Sequence, residues 1–370
     1  RLHVHGMYHR TVLLPAIRFH YTIGGIQLVP WLPTSESGAL CHLLLLCLSS
    51  LGIALGAFTR LCAASFALLH LAFVLSDRTI FNNHYYMYQL IAGLIALTGC
   101  DGSFSVVAAL KRRKQERVDG TAASASGTDV ALQTARMAAV AAVPTWHRNL
   151  LRLQVAMVYF YAGVAKLNSD WLLHSQPMAT KLPDEAAKYT PELAPLLVLP
   201  LTARLVSLGG VAFDLGIGPL LLCGRTRSLA LVATLAFHLS NHVLWSLGEF
   251  PWVMLATNLV FLDALPRRLL LVLGDSLPPP PDPQSAAAAA AAAAASPVVM
   301  TSAATLATSM LPVARPGLAV AVSVYVAIQL LLPLRPLLVS GFDPLDAVHT
   351  KAHTLLSWRM MAVSTRNFLN

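Results

Sequence analysis

Charge is what this chain lacks. Only 12% of its 370 residues are Asp, Glu, Lys or Arg, while 56% are hydrophobic. A soluble domain carries roughly 25% charged residues, so a globular enzyme with a water-facing surface is excluded, and the mean hydropathy of +0.63 points to lipid as the solvent. The net charge is +9, but the basic excess sits in short loops between apolar segments, where it sets orientation in a bilayer rather than recruiting nucleic acid. Cysteine is sparse: Cys41, Cys47, Cys62, Cys100 and Cys223 lie in or beside apolar segments, without a CxxC pair or zinc spacing, which leaves structural or spectator thiols. No serine triad, glycine-rich phosphate loop or acid pair at hydrolase spacing is evident. The chain opens on Arg1, as a fragment or a processed product would.

What is present is a series of apolar runs of about 17 to 25 residues, the length of a membrane-crossing helix. They fall near 11–30, 39–58, 61–76, 85–100, 149–166, 196–222, 227–245, 250–265 and 316–333. The expected fold is all-α, a polytopic integral-membrane helix bundle of about nine transmembrane helices. Two breaks divide it. Residues 111–147 open on Lys111-Arg-Arg-Lys-Gln-Glu-Arg117 and continue through Gly, Ser, Thr and Ala, a solvated loop. Residues 274–313 hold Pro278-Pro-Pro-Pro281 and the alanine run Ala286 to Ala295, a low-complexity linker. The organisation read from this is 1–110, N-terminal transmembrane helices; 111–147, basic loop; 148–273, central transmembrane helices; 274–313, linker; and 314–370, a last helix with the start of a tail. With Lys111–Arg117 in the cytosol, alternation puts Arg60, Arg225 with Arg227, Arg267 with Arg268, and Arg315 on the same side. The opposite side receives 77–84, 166–171 and 241–249, so the unusual polar residues of three helix ends converge by parity alone.

Lys166 closes the apolar stretch that begins at Gln154. An ammonium at that depth either snorkels to the headgroups or serves a site. Asn82 and Asn83 precede a span, where amide oxygens cap free N–H groups; His84 is not explained by capping, because a neutral imidazole binds an oxygen as donor or acceptor. His238 and His242 share a helix face at the spacing of a metal pair, but only His349 and His353 repeat it, in the tail, so no metal is expected. His238 and Asn241 are then either packed and hydrogen-bonded inside the bundle or part of a substrate pocket. Asp214, inside a span, either caps a helix broken near Gly209-Gly210 or pairs with a basic side chain. A lysine held away from water is in part a neutral amine, a competent general base for a weak acid such as a phenol or hydroquinone.

These segments resemble the membrane portion of vitamin K-dependent gamma-glutamyl carboxylase and its relatives in the horizontally transferred transmembrane (HTTM) domain family. The resemblance rests on Asn82-Asn83-His84-x-Tyr86-x-Tyr88, Val158-Tyr-Phe-x-Ala-Gly-Val-x-Lys166-Leu-x-x-Asp170-Trp171, Phe237-His238-x-x-Asn241 with Gly248-x-Phe250, and Ser357-Trp358-x-Met360-Met361. Asp214 and Arg227 fall where the family has an acid and a base. It implies a carbon–carbon lyase of the endoplasmic reticulum membrane that uses reduced vitamin K with oxygen and carbon dioxide. Lys166 would deprotonate the hydroquinone, oxygen would add, and the resulting alkoxide would take the gamma proton of a protein glutamate, whose carbanion adds carbon dioxide. His84 would hydrogen-bond the quinone oxygen or a charged intermediate. Asn83, His238, Asn241, Asp170 and Trp171 would line the pocket, and Trp358 with Met360 would cover it from the tail. The expected partners are the bilayer, a lipid-soluble quinol and a glutamate-containing protein, and no nucleic acid. Ala165 stands where the carboxylase has a second lysine, and the carboxylase's large luminal region is not represented within these residues. Two other readings remain: a relative that oxidises or binds a quinone or lipid without carboxylating protein, and a transporter or membrane scaffold in which Lys166 only pairs with Asp170 or a lipid phosphate.

Overall fold

A computed structural model describes residues 22–23, 26–27, 35–76, 83–98, 106, 110, 145–186, 188, 192, 194–245, 248–262 and 316–334. Its helices are α1 (Glu36–Leu55), α2 (Thr59–Ser76), α3 (Asn83–Leu97), α4 (Thr145–Ala165), the short α5 (Ser169–Leu172), α6 (Met178–Ala186) and α7 (Ala194–Leu197), then α8 (Pro200–Leu222), α9 (Arg227–Trp245), α10 (Phe250–Asn258) and α11 (Pro316–Leu331). Helices therefore occupy eight of the nine expected apolar segments. Four of them are long and apolar enough to cross a membrane: Ser37–Leu55, Pro200–Leu222, Arg227–Trp245 and Pro316–Leu334. The chain is an integral membrane protein built of helices. Leu229, Leu205, Leu68 and Leu48 stand exposed on their outer faces, as lipid-facing side chains do when the solvent is as apolar as leucine.

The first expected span, 11–30, is not one helix. Thr22–Ile23 (β1) and Ile26–Gln27 (β2) pair antiparallel, with Thr22 opposite Gln27 and Ile23 opposite Ile26. The physical reason lies in the sequence between them, Gly24-Gly25, because glycine is a weak helix former and favours hairpin turns.

The helix that organises the bundle is α4, and hydropathy underrates it. Its first half carries Arg148, Arg152 and Gln154, so it does not qualify as a span by composition. Arg148 is exposed, but the other two face inward: Arg152 is buried and gives its Nε–H to the Val260 carbonyl at 2.9 Å, and Gln154 accepts from Tyr325 Oη at 2.6 Å. Much of α4 is enclosed by protein, with Val155 to Tyr159 all buried, while Phe160 stands exposed.

Its closest partner is α8, which runs antiparallel to it. A Cβ on Gly163 would stand 2.7 Å from Leu215 Cδ2 and 2.9 Å from the Leu215 backbone nitrogen, and one on Gly218 would stand 3.1 Å from the Ala156 carbonyl oxygen. Two glycines thus let the backbones approach as small residues do at membrane helix interfaces. α11 joins by polar contacts: Tyr86 and Gln329 exchange hydrogen bonds, and Tyr161 donates to the Leu330 carbonyl at 2.5 Å.

Gly163→Ala is expected to destabilise the protein by about 1–3 kcal/mol through overpacking, although alanine is the better helix former. Gly93→Ala, with nothing within 4 Å of the new methyl, is expected to be neutral or stabilising. Thermal unfolding of both variants in one detergent checks this, and equal shifts would disprove the close-approach role of Gly163.

Candidate functional site

α4 ends at Ala165, and the turn that follows is fixed locally. Asn168 Nδ2 donates to the Ala165 carbonyl at 3.0 Å, while Asn168 Oδ1 accepts from the Trp171 backbone N–H at 3.0 Å and so caps α5. Lys166, held between these, is buried. Its Nζ lies 2.5 Å from Asp214 Oδ2 and 3.1 Å from the Ala162 carbonyl, with the Trp171 ring centroid at 5.3 Å. The Trp171 indole is pinned in turn by donating to the Ser207 carbonyl at 2.7 Å. Of the two uses open to Asp214, pairing is the one realised: α8 runs unbroken through Gly209-Gly210, and the carboxylate faces the lysine.

The pair opens onto a cavity of about 310 Å³. Lys166, Ala162, Val158 and Tyr159 of α4 and its following turn form one wall; Val206, Gly210 and Asp214 of α8 form another. Phe237, His238, Asn241 and Trp245 of α9, Phe250 and Met254 of α10, Asn83 and His84 of α3, Trp171 of α5 and Met178 of α6 complete it. The His84 ring stacks on Phe250 with centroids 4.1 Å apart, and Phe213 stacks on Phe237 at 3.8 Å. A hydrogen-bonded row lies in the wall: Asn258 Nδ2 donates to Tyr159 Oη at 2.8 Å, and Tyr159 Oη is 2.7 Å from His238 Nε2.

Six of the expected site residues meet here: Lys166, His84, Asn83, His238, Asn241 and Trp171. Asp170 is not among the lining residues; α5 turns its neighbour Trp171 inward instead. Trp358 and Met360 lie outside the described residues. Capping does not account for Asn83, whose Oδ1 is buried without a hydrogen-bond partner among the described residues. The histidines four apart on α9 do not converge on one point: His238 faces the cavity, whereas His242 packs edge-on against Trp252 at 5.0 Å.

The HTTM domain model matches residues 13–264, more than half of the chain. The chain belongs to the HTTM domain family. No solved structure matches it. The matched stretch of this HTTM chain contains every residue of the cavity wall. Sequence reasoning missed Tyr159, Phe237, Trp245 and Met254 as lining residues and Asn258 behind them. Tyr159 was detectable in principle, as it lies two helical turns before Lys166 on the same face.

The arrangement places a proton-carrying pair, neutral as a whole, against an apolar, aromatic chamber with hydrogen-bonding groups on the far wall. Asp214→Ala leaves a buried ammonium unpaired and is expected to cost about 3–5 kcal/mol. Asp214→Ala with Lys166→Met, which removes both charges, should recover most of that loss in an unfolding measurement. A double variant no more stable than the single one would show that the two residues are not energetically coupled.

Proposed function

We propose that this protein is a membrane-embedded quinol enzyme of the vitamin K-dependent gamma-glutamyl carboxylase type, which couples hydroquinone epoxidation by oxygen to carboxylation of protein glutamate in the endoplasmic reticulum membrane. The observation that carries this reading is that Lys166, paired with Asp214, faces the same aromatic-walled cavity as His84 and His238.

The residues present fit a lipid-soluble quinol. A chamber of this volume, lined by aromatic and aliphatic groups with a few placed polar atoms, is what such ligands occupy. Two buried polar atoms of lining residues, Asn83 Oδ1 and His238 Nδ1, have no partner among the described residues, which leaves them for a ligand. The hydroquinone, when bound, supplies the reducing power and the strong base that glutamate chemistry needs. The protein's share is proton handling and charge stabilisation. The Lys166–Asp214 pair carries one proton between an amine and a carboxylate; accepting a second from a quinol hydroxyl leaves it with a positive charge beside the oxygen that has become negative. That charge is worth most where water is excluded. Trp171 and Phe250 give the chamber apolar wall, and Phe250 stacks on the His84 ring.

Two other readings stay attached to definite observations. A quinol oxidase or binder without carboxylation needs the cavity alone. A scaffold or transporter needs only the Lys166–Asp214 pair, which already satisfies the buried lysine. Epoxide formation from vitamin K hydroquinone by the purified protein separates them. Wild type is expected to turn over, and Lys166→Ala to lose 10²-fold or more, about the range for a removed general base. Equal turnover in both would reject Lys166 as the base, and none in wild type favours the scaffold. Labelled carbon dioxide entering a glutamate peptide divides carboxylase from oxidase.

Gly210 offers a steric check. Its added Cβ would meet only Trp171, at 3.7 Å, so Gly210→Ala is expected to fold normally while Gly210→Leu fills the chamber. Quinol turnover surviving Gly210→Leu would place the ligand elsewhere.

A further inference from the structure

The row Asn258–Tyr159–His238 has a direction. A carboxamide nitrogen carries hydrogens and no acceptor site, so Asn258 Nδ2 donates at 2.8 Å and Tyr159 Oη accepts. The phenol then has its one hydrogen to give, and the acceptor within reach is His238 Nε2 at 2.7 Å. The ring neighbours of His238 are Tyr159, Phe237 and Phe250, which bring no counter-charge, and the Asp214 carboxylate is engaged by Lys166. A neutral imidazole that accepts at Nε2 carries its hydrogen at Nδ1. His238 is only 1% exposed, yet Nδ1 has no hydrogen-bond partner among the described residues.

We propose that Tyr159 and Asn258 are positioning residues that fix His238 in its Nδ1–H form, so that His238 presents the cavity with a hydrogen-bond donor for an oxygen atom of the bound ligand. The identity of that ligand as a quinol rests on the functional reading above; the direction of the row does not. The consequence is chemical. A donor aimed at a ligand oxygen gains strength as that oxygen becomes negative, so His238 assists when the Lys166–Asp214 pair removes a proton. The opposite tautomer would offer only a lone pair and would oppose the same charge.

The alternative is also defined by the structure. Asn258 Oδ1 is buried without a partner among the described residues. If the amide were reversed, Tyr159 would donate to Oδ1 and accept from His238 Nε2–H, leaving Nδ1 as an acceptor. Two-bond proton–nitrogen NMR of the ligand-free, 15N-histidine-labelled protein decides between them. The His238 ring is identified by its absence in His238→Gln, and independently as the ring whose pattern moves in Tyr159→Phe, so one variant suffices if the other fails to fold. The expected result is an Nδ1–H pattern in wild type and loss of that single pattern in Tyr159→Phe and Asn258→Leu. An Nε2–H pattern in wild type overturns the proposal, as does an unchanged pattern in a folded Tyr159→Phe protein. None of this requires turnover, so it stands or falls separately from the quinol reading. Where wild type does oxidise quinol, Tyr159→Phe is expected to lower kcat about tenfold, the scale of one lost hydrogen bond, with KM within about threefold, because the lost donor acts on the oxygen as it becomes negative. An unmoved kcat would overturn the positioning role.

Discussion

The Lys166–Asp214 pair is the contact on which the rest of the site depends. Neither charge is tolerable alone at that depth; together they are neutral, and the remaining demand of the ammonium is met in part by the Ala162 carbonyl and the Trp171 face. Such a pair holds only where both partners are delivered without slack. The delivery is made by backbone packing. Gly163, three residues before Lys166, lets α4 press onto Leu215, the residue after Asp214. The register that brings the methyl-free position against Leu215 is the register that brings amine to carboxylate. A small residue in one helix and a charge in the other are therefore parts of one constraint.

Polar groups elsewhere in the bundle follow the same economy of placement. The contacts of Arg152 with Val260, Gln154 with Tyr325, Tyr86 with Gln329 and Arg227 with the Leu221 and Leu222 carbonyls all join one helix to the end or face of another. In hydrocarbon an unpaired donor has no water to fall back on, so these bonds select one docking arrangement among many that leucine packing alone would allow. The helix richest in them, α4, is the one that hydropathy ranks poorly. Average hydropathy reports what a segment contains, not which way it faces.

That distinction explains what the sequence made legible. Segment positions followed from apolar run length, and parity over nine crossings led to the expectation that Asn83, His84, Lys166 and Asn241 share one side; the four do line one cavity, while four helices qualify as spans among the described residues. Facing did not follow. Asp170 and Trp171 are adjacent, and about 100° of helical rotation sends the indole into the cavity while the carboxylate is not among its walls. The partner of Asp214 was unreadable because it lies 48 residues away and depends on the α4–α8 register, which no periodicity encodes. Tyr159 read as one more aromatic in an apolar stretch; its hydroxyl acquires meaning only when Asn258 and His238 are seen on either side. The span expected over 11–30 is interrupted where Thr22–Ile23 pairs with Ile26–Gln27, a place where apolar run length alone misleads.

A buried ion pair also constrains what can enter. A lysine already bonded to a carboxylate is not a free amine waiting for a proton, so the acid–base unit is the pair, and its capacity for a further proton depends on a partner oxygen able to carry the matching negative charge nearby. Entry through or beside apolar helix faces favours a ligand that is neutral on arrival, since a charged one would bear the desolvation cost before meeting any compensation. Aromatic walls at Trp171, Phe237 and Phe250 favour a flat ring over a flexible chain. On the proposed quinol reading, a neutral, lipid-soluble ring with an ionisable hydroxyl satisfies all three conditions together, whereas an ion is not neutral on arrival and a sugar or a fatty acyl chain offers no flat ring to the aromatic walls.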